Sequence, residues 1–271
     1  MTESTNPGSP ARRTTEDERS DALDALGQTL GTAPNVVRHA YGDDADQFVE
    51  VHGDPATASA VVIFVHGGYF RPSIDFVHAR PLAQDLAGRG LLCVLVEYGR
   101  IGGQPRCLTD VTAAIRFAQD AFAAWGVPAA ARERPVVAGH SAGGCLVLSW
   151  ASHLGEDGAE FRLRPLAPIS DLLREVNDGL ADGAVLDYMG APPQEDLAAY
   201  LWQDPRSRAV LIPARANAHI IHGDADGIVA VSFSENYPAP LTILPGADHM
   251  DLVDPESSYF PQVIELLLAD R

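Results

Sequence analysis

The sequence GHSAG at residues 139–143 places a serine where nucleophilic chemistry is favoured. An apolar run, PVVA at 135–138, precedes it, and a stretch with helical periodicity follows it. A serine on a sharp turn between a strand and a helix exposes its Oγ, and flanking glycines remove side chains that would collide there. The helix N-terminus beneath the serine also favours developing negative charge. The pentapeptide alone is a weak signal, but in this context it makes Ser141 a candidate nucleophile.

A serine nucleophile needs a general base, and the base needs an orienting carboxylate. When the serine occupies a strand-to-helix turn, the acid follows it in the chain and the histidine comes last. Two loops suit these roles, HGDADG at 222–227 and PGADHM at 245–250. His249 is the predicted base because no other histidine follows the acid loop. Asp226 is the predicted acid, while Asp224 is expected to cap the loop backbone and stays an alternative acid.

A second glycine-rich turn, HGGY at residues 66–69, also follows an apolar run. Glycines let backbone N–H groups approach a tetrahedral oxyanion, and the residue after the nucleophile supplies another N–H. Gly67, Gly68 and Ala142 are therefore the predicted oxyanion hole. Removing one such donor typically lowers the rate by about 100- to 1000-fold.

The ordered set HGG, GHSAGG, HGDAD and GADH resembles the α/β-hydrolase superfamily and spans nearly the whole folded part of the chain. Within it, HGGYF with GHSAGG is similar to the kynurenine formamidase (arylformamidase) and related carboxylesterase branch, whose early motif is HGG-x-W. The segments SDLLREV and YLWQDPRS are similar to the lid region of those formamidases. Phe70 stands where their motif has Trp. The resemblance implies a triad of Ser141, Asp226 and His249 and an oxyanion hole of Gly67, Gly68 and Ala142.

By this resemblance the chain is expected to be a serine hydrolase that needs no cofactor and no metal. The lead substrate is a small-molecule acyl amide, N-formylkynurenine, which would give kynurenine and formate. A general carboxylesterase for short acyl esters is the nearest alternative, because amide and ester hydrolysis share these catalytic residues. A non-catalytic ligand receptor on the same fold is the alternative from another class.

Other motifs have simpler structural interpretations. EYGR at 97–100 matches neither a dinucleotide-binding nor a phosphate-binding glycine pattern, so it is expected to shape the loop after a strand. His66, His140 and His222 stand at predicted strand ends and are expected to pack or to fix loops; the sequence contains no HExxH. Aromatic side chains could line a substrate pocket or form the lid's own core. The candidates for substrate contact are Tyr69, Phe70, Tyr188 and Trp202, and the two interpretations also apply to Met189 and Tyr200.

Short continuous apolar runs favour strands buried on both faces, as in a parallel sheet covered by helices. Such runs lie at 60–66, 91–97, 135–139, 166–169, 218–222 and 241–244, and two further strands are predicted at 36–41 and 47–52. Helical patterns lie at 15–31, 75–87, 108–125, 142–154 and 255–269. The alternation predicts one α/β-hydrolase domain over residues 16–271, with a mostly parallel sheet, a helical lid insertion at about 171–208 that includes a helix at 194–202, and a disordered tail at 1–15.

Composition limits the class of protein. The chain has 271 residues, 46% of them hydrophobic, and a formal net charge of −18. This charge argues against nucleic acid or an anionic membrane surface as a partner. No apolar stretch suits a signal peptide or a membrane span, and three cysteines without metal-type spacing predict free buried thiols, so a cytoplasmic location is expected. The sequence does not indicate an oligomeric state.

Overall fold

The computed structural model describes residues 36–270, so the predicted tail at 1–15 and helix at 15–31 lie outside the described residues. Within this range eight strands form one sheet. They are β1 (Val36–Ala40), β2 (Phe48–His52), β3 (Val61–Val65), β4 (Leu92–Val96), β5 (Val136–His140), β6 (Arg162–Leu166), β7 (Ile220–Gly223) and β8 (Leu241–Leu244).

The strand order is β1-β2-β4-β3-β5-β6-β7-β8. β2 pairs antiparallel with both β1 and β4, and every other neighbouring pair is parallel. The predicted mostly parallel sheet is therefore confirmed. Because parallel strands end at the same edge, the loops after β3, β5, β7 and β8 meet there, and these loops carry the predicted site.

Helices cover both faces of the sheet, and their bounds are as follows. They are α1 (Arg80–Gly88), α2 (Arg106–Ala121), α3 (Ala129–Arg132), α4 (Ala142–Ser152), α5 (Leu172–Asn177), α6 (Ala184–Met189), α7 (Leu197–Gln203), α8 (Pro205–Arg208), α9 (Ser232–Glu235) and α10 (Phe260–Leu268). The predicted helix at 255–269 is shorter in the structure, where α10 begins at Phe260. Pro261 has no N–H to donate to a carbonyl four residues earlier, so it fits only in the first turn of a helix.

The central strand β3 explains why the core has two halves. Ile63 packs into the core on the face that carries α2 and α4, whereas Val62 and Phe64 pack on the face that carries α1 and α10. All three side chains are fully buried. A strand between two helical layers has no polar face, so its sequence is continuously apolar rather than alternating.

The sixth strand differs from the prediction. The sequence predicted it at 166–169, whereas the structure has it at Arg162–Leu166. The apolar run marks only its last residue, because buried Arg164 interrupts the pattern. Its guanidinium donates to backbone oxygens of Leu266, Asn217 and Ala269, so a charged side chain is fully satisfied inside the fold.

The segment 171–208 between β6 and β7 contains the short helices α5 to α8. Aspartates begin three of them: Asp171 caps α5, Asp196 caps α7 and Asp204 caps α8 through side-chain oxygens that accept backbone N–H groups. Asp204 also accepts the N–H of Leu172 at 2.7 Å, which ties α8 to α5. The predicted helix at 194–202 is observed as α7.

All three cysteines, Cys93, Cys107 and Cys145, are free and buried, which confirms the prediction. Burial raises the pKa of each thiol. In the part of the chain that the structure covers, no helix is both long and apolar enough to cross a membrane.

Candidate active site

Ser141 is the single residue between β5 and α4. Its backbone has φ 55° and ψ −118°, a conformation that a residue with a side chain rarely adopts. The turn is held by hydrogen bonds from Ser141 N to the Leu166 carbonyl at 2.9 Å and from Cys145 N to the Ser141 carbonyl at 3.0 Å. Such strain persists only where the surroundings over-determine it, and it places Ser141 at the N-terminus of a fully buried helix.

The glycine that follows this turn is required by a close approach of two backbones. A Cβ at Gly143 would collide with the backbone carbonyls of Val65 and His66 at the end of β3. The first turn of α4 therefore lies directly against the β3 loop. This contact brings Ser141 next to Gly67, where a Cβ would lie 3.1 Å from the Cβ of Ser141.

The predicted acid and base form a direct hydrogen bond. Nδ1 of His249 lies 2.6 Å from Oδ2 of Asp226. Because an ionised carboxylate only accepts, Nδ1 carries the proton, and Nε2 keeps the lone pair that a general base needs. Oδ1 of Asp226 accepts the backbone N–H groups of Ile228 and Val229, each at 2.8 Å. Both carboxylate oxygens are thus held in place.

The environment of Asp226 keeps its carboxylate ionised. Burial alone would raise the pKa of Asp226, but hydrogen bonds from His222 and His249 outweigh burial and hold that pKa below its usual value. An ionised acid of this kind fixes the imidazole tautomer and stabilises the imidazolium that forms during catalysis.

Asp224 occupies a different position. It is exposed, and its Oδ1 accepts the N–H of Gly246 at 2.6 Å, so it links the acid loop to the loop that carries the base. Asp248 caps the turn at residues 249–251, because its Oδ1 accepts the N–H groups of Met250 and Asp251. Asp226 is the carboxylate that the structure brings to His249.

His249 reaches the serine loop through His140, the residue before Ser141. The two imidazole rings lie 4.4 Å apart between centroids, and Nε2 of His140 donates to the His249 carbonyl at 2.9 Å. Burial, with His249 as the second cause, lowers the pKa of His140 well below its usual value. The base therefore contacts the serine loop through this ring, and hydrogen bonds between serine and base commonly tighten only when substrate binds.

The predicted oxyanion loop is held from behind. Nδ1 of His66 donates to the Gly67 carbonyl at 2.7 Å. In a trans peptide the C=O and N–H point to opposite sides, so this bond turns the N–H of Gly68 away from His66. The Gly67–Gly68 peptide lies beside Ser141, and Ala142, the other predicted donor, is the first residue of α4. Gly67 and Ala142 thus adjoin Ser141, and Gly68 follows in the same loop.

A buried ion pair supports His66, and sequence reasoning missed it. Glu97, at the end of β4, bonds to Arg100, to Nε2 of His66 at 3.2 Å and to the N–H of Phe76 at 3.2 Å. Burial raises the pKa of Glu97, yet His66 and Arg100 lower it to about 2. The sequence signal is the motif EYGR after an apolar run, for which the pattern alone predicts only a loop-shaping role.

The predicted pocket aromatics separate into two groups. Phe70 stacks on Tyr188 with ring centroids 4.4 Å apart, which joins the oxyanion loop to the insertion, and the Tyr69 hydroxyl donates to the Ile228 carbonyl at 3.1 Å. Trp202 does not join them: it is 44% exposed and packs on His153. Tyr200 is fully buried, and its hydroxyl donates to the Ala191 carbonyl, so it belongs to the insertion's own core.

Across residues 36–270, no group of three or more His, Cys, Asp or Glu side chains is arranged to hold a metal ion. The described site combines a buried serine on a strained turn, a hydrogen-bonded Asp–His pair and an adjacent glycine loop. These groups are suited to acyl transfer through a serine ester.

Comparison with known proteins gives a likeness in structure only. No protein-family model and no curated protein matches the sequence. Esterase B from Lactobacillus rhamnosis HN001 superposes with a TM-score of 0.69 at 17% identity, covering 93% of this chain and 89% of that one. An arylesterase superposes with a TM-score of 0.66 at 16% identity, covering 94% of this chain and 92% of that one. A putative thioesterase from Silicibacter sp. TM1040 superposes with a TM-score of 0.60 at 19% identity, covering 94% of this chain and 95% of that one. Together with the eight-stranded, mostly parallel sheet, these likenesses establish that this chain has the α/β-hydrolase fold.

Proposed function

We propose that this protein is a serine hydrolase of the carboxylesterase type, acting on small-molecule esters with short acyl groups. The observation that carries the proposal is the buried His249–Asp226 hydrogen bond beside the strained turn of Ser141. The His249 ring packs against the ring of His140, the residue before Ser141. The names of the similar structures, esterases and a thioesterase, favour ester cleavage.

In the proposed acylation step, Nε2 of His249 takes the proton of the Ser141 hydroxyl as Oγ attacks the acyl carbonyl. The carbonyl oxygen becomes an oxyanion, which the N–H groups of Gly68 and Ala142 stabilise beside Gly67. The C–O bond to the leaving group then breaks, and His249 passes its proton to the departing alcohol. An acyl-serine remains.

Deacylation uses the same groups in reverse roles. His249 takes a proton from water as the water oxygen attacks the acyl-serine carbonyl, and a second oxyanion forms in the same hole. Collapse of this intermediate returns the proton to the Oγ of Ser141 and releases the carboxylic acid. Throughout, Asp226 holds the imidazole in the Nδ1-protonated tautomer and stabilises its charged form.

Arylformamidase activity on N-formylkynurenine is the second candidate. It is favoured by the HGGYF and GHSAGG motifs and by the Phe70–Tyr188 pair, which gives the oxyanion loop an aromatic neighbour. A formyl group needs almost no acyl pocket, and an aryl leaving group packs well on aromatic rings. Phe70→Ala should then lower turnover of N-formylkynurenine more than turnover of p-nitrophenyl acetate.

The test is kcat/KM on p-nitrophenyl acetate and on N-formylkynurenine, for the wild type and Ser141→Ala. Loss of the nucleophile should lower kcat by up to about a million-fold if the triad acts as a unit. Ser149→Ala is the matched control: Ser149 lies two turns further along α4, and its buried hydroxyl has no hydrogen-bond partner among the described residues. This control should keep wild-type turnover.

The outcomes separate the alternatives. Preference for the ester supports the carboxylesterase, and preference for the formamide supports the arylformamidase. Undiminished turnover in Ser141→Ala contradicts the mechanism. If the wild type cleaves neither substrate while binding them, a receptor on this fold is the better description.

A further inference from the structure

A second histidine contacts the acid of the triad. Nε2 of His222, at the end of β7, lies 3.1 Å from Oδ2 of Asp226, the same oxygen that His249 contacts. The same Nε2 lies 2.9 Å from the carbonyl of Val229. His222 is fully buried, so no water competes for these contacts.

The contacts of His222 fix its tautomer. A carboxylate and a carbonyl both only accept, so Nε2 carries a proton that it shares between them. In the neutral ring Nδ1 then accepts, and the Ser234 hydroxyl lies 2.6 Å from it. Ser234 is itself buried on α9. A continuous chain of hydrogen bonds thus runs from Ser234 through His222 and Asp226 to His249.

We propose that His222 is a positioning residue of the hydrolase, which aims Oδ2 of Asp226 at His249 and limits the negative charge that His249 meets there. The inference rests on the proposed function, because it concerns the same triad. His222 has no contact with the reacting atoms; it acts through Asp226.

The expected effect has a defined direction. Two donors on one carboxylate oxygen share its negative charge. Removing His222 therefore leaves more negative charge on Oδ2 of Asp226 for the hydrogen bond with His249. The imidazolium of His249 is then stabilised, so the acidic limb of the pH–rate profile moves to higher pH. The carboxylate also loses one of the contacts that fix its rotation, so the base is less well aimed and kcat falls.

Other titratable groups that face this pair are unchanged by the substitution. They are His140 on β5, whose ring lies against His249, and His78, which interacts with His140. Burial lowers the pKa of both, for His78 to about 3, so burial favours the neutral form of each ring. Asp224 and Asp248 are exposed and bond to loop backbone. A shift in the kinetic pKa therefore reports on His222.

The test compares His222→Phe with His222→Gln, measuring kcat and KM on p-nitrophenyl acetate from pH 5 to 9. Losing a hydrogen bond to a charged group should lower kcat by about 10- to 100-fold in His222→Phe, with KM changed less than about threefold. The acidic limb of the kcat/KM profile should move to higher pH. A Gln Nε2 can donate to both Asp226 and Val229, so His222→Gln should restore most of kcat and the wild-type limb.

A spectroscopic measurement keeps the test independent of turnover. The proton between His249 and Asp226 should give a downfield proton resonance that is lost in Asp226→Asn. In His222→Phe it should move further downfield, because the remaining bond is stronger. An unmoved resonance and an unmoved acidic limb, with only melting temperature lowered, would assign His222 a structural role. A wild type that cleaves no ester would refute the proposed function, while the resonance would still decide the role of His222.

Discussion

At the scale of single residues, Asp226 differs from Asp224 in its donors, not in its chemistry. Asp226 accepts from two imidazoles and two backbone N–H groups, whereas the Oδ1 of exposed Asp224 accepts one backbone N–H. Spacing alone left both carboxylates open as the acid, because residues two apart on an extended loop can point in similar directions. Only the fold of the loop separates them.

Asp226→Asn should therefore lower kcat on p-nitrophenyl acetate by about 10⁴-fold, since an amide cannot hold the imidazole in the correct tautomer. Asp224→Asn should change kcat by no more than a few-fold, because it alters a loop cap rather than the base. Steady-state kinetics of both variants checks the pair. The reverse order of effects would make Asp224 the acid.

The three histidines at strand ends show what the sequence can predict about individual side chains. His66, His140 and His222 were predicted to pack or fix loops, and each donates to a loop carbonyl, of Gly67, His249 and Val229 respectively. Their positions after apolar runs were readable in the sequence. Their partners were not, because each partner is set by how the strand ends meet in space.

At the scale of elements, strands were predictable where their residues are apolar and were misplaced where a polar side chain is buried. β3, β4 and β5 were found within one residue at each end, whereas β6 was shifted by four residues at its start. The start of β6 could not be predicted, because Arg164 looks unsuited to a buried strand until its partners are known. Two of those partners, Leu266 and Ala269, lie about 100 residues further along the chain. A local pattern cannot supply such distant contacts.

The acid and base loops are held together by a close backbone contact at Gly223, the last residue of β7. A Cβ there would collide with the carbonyl of Ala247, two residues before His249. Gly223→Ala should therefore lower the free energy of unfolding by about 1–3 kcal/mol and lower kcat as well, because the base loop must shift. Urea unfolding and kinetics on the same samples measure both effects.

Gly227→Ala is the matched control for this substitution. Gly227 belongs to the same acid loop, but a Cβ there meets nothing within 4 Å. The substitution should leave kcat unchanged and stabilise the fold slightly or not at all. Equal losses in the two variants would mean that the Gly223 contact has no special part in placing His249.

At the scale of the whole molecule, the site lies at one edge of a sheet whose buried interior contains titratable groups. His78, beside the oxyanion loop, is buried in contact with His66, and its Nδ1 donates to the Asp75 carbonyl at 2.6 Å. Burial, with His66 as the next cause, lowers its pKa to about 3. The folded protein thus keeps this histidine neutral where the unfolded chain would take up a proton.

This difference in proton binding predicts that acid weakens the fold before its carboxylates titrate. As the pH falls from 6.5 towards 3, the unfolded chain binds a proton at His78 that the folded chain does not. The free energy of unfolding should therefore decrease with falling pH, by up to about 1.4 kcal/mol per pH unit from this residue. Glu97, with a pKa of about 2, contributes only in the lower window below its ordinary value of 4.5.

Urea unfolding of the wild type and His78→Gln between pH 5 and 7.5 isolates this contribution. Glutamine does not titrate, so the variant should be less stable at pH 7.5 where the Asp75 contact is weakened, yet lose less stability on going to pH 5. The two curves should converge as the pH falls, since only the wild type gains a proton at residue 78 on unfolding. Parallel curves would mean that His78 takes up its proton in the folded state, and that the interior behind the oxyanion loop is open to water.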